Sequence, residues 1–135
     1  MTAKNPFAWT EISVNDLARA KKFYETILQI QMDALEMPET MKVEEDAENY
    51  FEMISFPSDM MGPGSSGTLV KSNMGKPGPG GTLVYFQSDD CAEELSRVEA
   101  AGGKVIAGKM SLGQYGFCAI AEDSEGNPIG FHSMK

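Results

Sequence analysis

A run that passes from an extended apolar segment through an acidic cap into a helix occurs twice in this chain, and a chain that builds one unit twice has few ways to fold. The first copy is Phe7 to Leu28, FAWTEISVNDLARAKKFYETIL, and the second begins at Gly80, GGTLVYFQSDDCAEELSRVEAAGG. Each extended run ends in side chains that accept hydrogen bonds from the free N–H groups of a starting helix, Asn15 and Asp16 in the first and Asp89 and Asp90 in the second. Two like modules therefore follow from the sequence.

In the first copy, alternation over Phe7 to Val14 splits a strand into Trp9, Glu11 and Ser13 on one face and Ala8, Thr10, Ile12 and Val14 on the other. The spacing predicts a helix over 17–28 with Leu17, Ala20, Tyr24, Ile27 and Leu28 on one stripe and Phe23 beside it, packed on the Ile12 and Val14 face. Glu11 is then left on the face away from the helix. Further strands are expected over Ile30–Met37, Tyr50–Pro57 and Gly67–Ser72. Between the first two lies Pro38–Glu48, whose Glu39, Glu44, Glu45, Asp46 and Glu48 face Lys42 alone, the composition of a solvated loop or short frayed helix. Asn73–Gly80 reads as a linker.

The second copy repeats the order. A strand over Thr82–Gln87 precedes a helix over Cys91–Ala101, with Ala92, Leu95 and Val98 on its buried stripe and Gly102 and Gly103 closing it. Strands follow over Lys104–Met110 and Tyr115–Glu122, then a turn at Asp123–Asn127 and a last strand over Pro128–Met134. The organisation is thus one domain over 1–135, with modules at about 7–72 and 81–134.

Composition narrows the function. At 135 residues, 41% hydrophobic and 23% charged, the chain reads as globular and soluble, with no apolar run of membrane-spanning length and no signal peptide in Met1–Pro6, so a cytoplasmic location without membrane association is expected. A net charge of −9 disfavours nucleic acid, whose phosphates call for Lys and Arg, and is permissive toward cationic ligands. Cys91 and Cys118 form no CxxC pair and read as ordinary free thiols. Gly62 to Gly67, GPGSSG, matches GxGxxG by letter, but a strand-like TLVKSN follows where a dinucleotide fingerprint needs a helix, so it reads as a turn.

The order VNDLARAKKFYETIL, then GGTLVYFQSDD with a helix and AAGGKV, then YGFCAIAEDSEGNPIGFHS resembles the glyoxalase, bleomycin-resistance and extradiol-dioxygenase superfamily, the vicinal oxygen chelate proteins, over nearly the whole chain. The resemblance implies an α+β fold of two βαβββ modules, a curled mixed sheet with a cleft and the helices outside, often as a homodimer. It also implies a divalent metal held by His or Glu from the first and last strand of each module. Carried over by spacing, those positions are Trp9, a strand Gly67–Ser72 without acid or His, Leu83 and Gly130. None ligates a cation through its side chain. Only Glu11 and His132 are donors near them, so no cofactor is expected and a divalent metal is disfavoured.

On that reading the cleft is a largely apolar pocket, with Glu11, Tyr85, Gln87 and His132 on its inward faces beside Trp9, Leu83 and Gly130. Three functions fit. One is a metal-free protein that binds a small organic molecule, aromatic or cationic, with Trp9 and Tyr85 stacking and Glu11 pairing with positive charge. Another is a metal-free lyase or isomerase with Glu11 as general base and His132 or Tyr85 as proton donor. The last is a lyase or dioxygenase whose metal is held by Glu11, His132 and groups from a second subunit. The first is preferred. Tyr85 as plain strand packing and His132 as a hydrogen-bonded structural histidine are the competing readings.

Overall fold

The computed structural model describes residues 5–59 and 61–135. Each half is a strand, a helix and three strands: β1 (Phe7–Ser13), α1 (Leu17–Leu28), β2 (Asp33–Ala34), β3 (Phe51–Ser55) and β4 (Ser66–Ser72), then β5 (Thr82–Gln87), α2 (Cys91–Arg97), β6 (Lys104–Ser111), β7 (Phe117–Glu122) and β8 (Pro128–Ser133). Each half carries its own helix and a mixed arrangement of strands, which makes the fold α+β. By contacts, Thr10–Thr82 is one compact unit, and Leu83–Lys135 with the N-terminal residues through Trp9 is the other.

In the Thr10–Thr82 unit, β2, β3 and β4 are antiparallel neighbours. Beside them β1 runs parallel to β4, with the Val14 N–H donating to the Val70 carbonyl at 2.8 Å and Gly67 against Thr10. That contact explains the glycine, because a Cβ at Gly67 would lie 2.1 Å from the Thr10 carbonyl oxygen. The GPGSSG segment is a turn, with Gly64 at φ +85°, and it leads into a strand rather than a helix.

Helix α1 starts where Asp16 accepts the Arg19 N–H at 3.0 Å and packs through Tyr24, whose ring meets Phe56 of the sheet edge-on at 5.5 Å. Ile27 and Leu28 depart from the expected stripe, being 55% and 52% exposed. The helix is rolled so that Leu17, Ala20, Lys21, Tyr24 and Glu25 are its less exposed positions. Two local features account for this. Gln29 ends the helix in the left-handed region at φ 55°, and the returning chain seats Met32 in the interior at 2% exposure. The Glu25 carboxylate holds that return by accepting the Met32 N–H at 2.8 Å while pairing with Lys21 at 3.0 Å. Strand β2 is much shorter than Ile30–Met37, as its polar residues Gln31, Asp33 and Glu36 allow, and in the acidic stretch only Glu39–Met41 is helical, as a 3-10 turn.

In the other unit, β5 pairs parallel with β8, and β8, β7 and β6 continue antiparallel. Helix α2 covers one face, burying Cys91, Ala119, Ala121 and Phe131, with Phe86, Leu95, Val98, Phe117 and Ile129 packed around them. The expected stripe is corrected at one position: Ala92 is exposed and Cys91 is buried, so the inward line is Cys91, Leu95, Val98, at i, i+4, i+7. Helix α2 also ends earlier than Ala101. Beyond it Gly102, at φ +102°, closes the chain with Gly103 N–H donating to the Val98 carbonyl and Gly102 N–H to the Glu99 carbonyl, a Schellman pattern. Asp90 caps the start by accepting the Ala92 N–H and also pairs with Lys109 at 2.8 Å, whose ammonium sits 4.6 Å from the Phe117 ring centre.

Two predictions follow from these contacts. Gly67→Ala will lower unfolding free energy in urea by about 2 kcal/mol or more, because backbone on both sides must move, whereas Gly108→Ala, with open space at its Cβ, will stay within about 0.5 kcal/mol. The Met32 N–H, then the Lys21 ammonium, hold the Glu25 carboxyl below its ordinary value of 4.5. A depressed folded pKa means the contribution is full above about 4.5 and lost as pH falls through the folded value. Glu25→Gln will therefore lower Tm at neutral pH, and the deficit will shrink as pH falls below 4.5 in a thermal-melt series.

Candidate functional site

Packing under α2 decides which residues face the other way. Phe86 belongs to the α2 side, so its strand neighbours Tyr85 and Gln87, with Leu83, lie on the opposite face; Ile129 and Phe131 belong to the α2 side, so Gly130 and His132 do not. The parallel register sets Tyr85 against Gly130 and Gln87 against His132. Leu83, Tyr85, Gln87, Gly130 and His132 are thus brought together on one face of one unit. Trp9, half-buried, belongs to the same unit at the end of its β1 segment. Glu11 lies in the Thr10–Thr82 unit, on the face of β1 away from α1, since Thr10 and Ile12 line a groove with Phe56 on the α1 side.

The strand expected over Tyr115–Glu122 forms as β7 and adds residues to this face that the sequence did not nominate. Cys118 stands across from His132 and Ile120 across from Gly130, so both share this face. The signal was present in the alternation of FCAIAE, where Ala119 and Ala121 take the α2 side.

Each polar group on the face has a geometric role. The His132 Nε2 lies 2.6 Å from the Tyr115 carbonyl oxygen. A carbonyl only accepts, so Nε2 carries the proton of this bond. His132 therefore pins the 3-10 turn Gly113–Tyr115, and its N–H is committed to the backbone. Gln87 donates through Nε2 to the Asn5 carbonyl at 3.2 Å and the Phe7 carbonyl at 3.4 Å, fastening the N-terminal segment to β5. The Tyr85 ring occupies the space above Gly130: a Cβ there would lie 2.4 Å from ring carbon Cδ1. Glycine at 130 is thus the seat of an aromatic ring.

These groups do not fit a divalent ion. Among the described residues no three His, Cys, Asp or Glu side chains cluster as a ligand set. Of the two thiols, Cys91 is fully buried under α2, and Cys118, on the face, is 6% exposed.

The sequence profile of the Glyoxalase/Bleomycin resistance protein/Dioxygenase superfamily matches residues 7–131. The chain belongs to that superfamily. Solved structures of similar fold include a hypothetical protein from Bacillus halodurans, with TM-score 0.67 and 12% identity over 96% of this chain and 94% of that one. They also include methylmalonyl-CoA epimerase from Streptomyces coelicolor in complex with 2-nitronate-propionyl-CoA, with TM-score 0.63 and 14% identity over 97% and 98%. The epimerase from Mycobacterium tuberculosis has TM-score 0.63 and 13% identity over 100% and 93%. At such identities the likeness concerns the fold alone. No curated protein sequence matches the chain. Within this glyoxalase-superfamily fold, the face described above carries Leu83 and Gly130 at positions where the family resemblance calls for metal donors, with the Tyr85 ring over Gly130.

The seating of Tyr85 is testable by a double-mutant cycle. Gly130→Ala will destabilise the protein by about 1–3 kcal/mol through the clash with the ring. In the Tyr85→Ala background the same change will be nearly neutral, so urea unfolding will show a coupling energy above about 1 kcal/mol.

Proposed function

We propose that the protein binds a small organic molecule with an apolar or aromatic body against the Leu83, Tyr85, Gly130 face, without a divalent metal of its own. The observation that carries this reading is the Tyr85 ring seated on Gly130, which puts a flat carbon surface where a ligating side chain would have to stand. Ile120 beside Gly130 and Leu83 on the same strand as Tyr85 extend that surface. Aromatic surfaces of this kind favour planar partners through offset or edge-on contact, and the net charge of −9 tolerates a cationic substituent. The binding of CoA esters by epimerases of similar fold supports a small-molecule role, while their ligand chemistry is not carried over.

A thermal-shift screen of planar aromatic amines, alcohols and acids tests the reading. At least one class will raise Tm in proportion to the logarithm of its concentration above Kd, and Tyr85→Ala will weaken that ligand by tenfold or more, on the order of 1.4 kcal/mol. Equal binding by the Tyr85→Ala variant would place the ligand elsewhere and sink the proposal.

A further inference from the structure

The Phe23 ring is 55% exposed yet firmly placed: it meets Tyr24 edge-on at 5.1 Å, and Tyr24 meets Phe56 of the sheet in the same way. A large ring held at the surface of a helix calls for a cause, and here it walls a groove. The groove lies wholly within the Thr10–Thr82 unit, has a volume of about 410 Å³, and runs along the first two turns of α1. Phe23 and Tyr24 line it from the helix, and Pro77, from the segment between β4 and β5, supplies a second apolar wall. Ala20 contributes only a methyl group, which leaves the space open. A small organic molecule fits a groove of this size.

Two ionic side chains, Asp16 and Arg19, also line it. Asp16 is already used, since its Oδ1 accepts the Arg19 N–H at 3.0 Å as the cap of the helix. The Arg19 guanidinium has no ion-pair or hydrogen-bond partner among the described residues, whereas Lys21, two positions on, pairs with Glu25 at 3.0 Å. Arg19 stands one turn before Phe23, so the two side chains are neighbours on the exposed side of α1. The exposed positions of that helix include Arg19 and Lys22 and no acidic residue, which makes this side locally cationic in a chain of net charge −9. A guanidinium offers a planar fork of N–H donors that matches a carboxylate.

The geometry points to this groove as a second binding site, one for a planar molecule that carries a carboxylate. Arg19 holds the carboxylate, and the Phe23 ring with Pro77 holds the flat body. The anion is held by a side chain and not by the helix end, because Asp16 occupies the N–H group there. This site goes beyond the Tyr85 face and is argued from the Thr10–Thr82 unit alone.

Titration of the full, isotope-labelled chain with cinnamate, cinnamyl alcohol and cinnamylamine, followed by NMR, tests it. Cinnamate will shift the amide signals of Arg19, Ala20 and Phe23 and will bind more tightly than the alcohol or the amine. Arg19→Gln, which leaves the backbone cap in place, will weaken cinnamate about fivefold and leave the alcohol unchanged. Phe23→Leu, which keeps an apolar side chain and removes the plane, will weaken cinnamate about threefold. No movement of these amides with cinnamate, tighter binding of the amine, or equal cinnamate affinity in Arg19→Gln would overturn the inference. Tyr85→Ala will move the same amides as wild type does, while Arg19→Gln leaves a ligand of the Tyr85 face in place, so failure here and failure of the proposed function are read separately.

Discussion

The parallel pairing of β5 with β8 is the constraint on which the candidate face depends. It aligns Tyr85 with Gly130 and Gln87 with His132, and a one-residue slip of β5 would send Tyr85 and Gln87 beneath α2. The register is held from the α2 side by Phe86 against Phe131, with ring centres 6.2 Å apart, and by the Ser133 hydroxyl, which receives the Cys91 N–H at 3.1 Å. Core packing on one side of the sheet thereby fixes what the other side presents.

What it presents is a surface whose polar groups are used for architecture. The His132 ring secures the turn before β7 and the Gln87 amide secures the chain before β1. Both are side chain to backbone bonds that stop a loop from moving, which keeps the Tyr85 surface in one shape. Preorganisation of this kind favours ligand binding by reducing the ordering cost. In the other unit the Thr68 hydroxyl is buried with no hydrogen-bond partner among the described residues.

The duplicated strand, cap and helix was legible because it rests on local chemistry. Asp16 and Asp90 cap the helices by bonding N–H groups one turn in, and Gly102 closes α2 in a conformation open to glycine. Alternation along β5 and β8 was equally legible, since a strand has a period of two whatever its surroundings. The roll of α1 was not. It is set by Glu25 reaching seven residues ahead to the Met32 N–H, and no periodicity encodes that bond. The shift from Ala92 to Cys91 turned on Ser133, forty-two positions away. The partners of His132 and Gln87 are backbone carbonyls, which every residue possesses, so sequence could nominate these side chains for the face but not say what they hold.

Elemental analysis of the purified, undialysed protein tests the central claim most directly. The account predicts zinc, nickel, manganese and iron far below one atom per chain, because the Leu83 and Gly130 positions offer carbon and no three donor side chains cluster among the described residues. One equivalent of any of these metals, lost together with ligand binding on chelation, would contradict it.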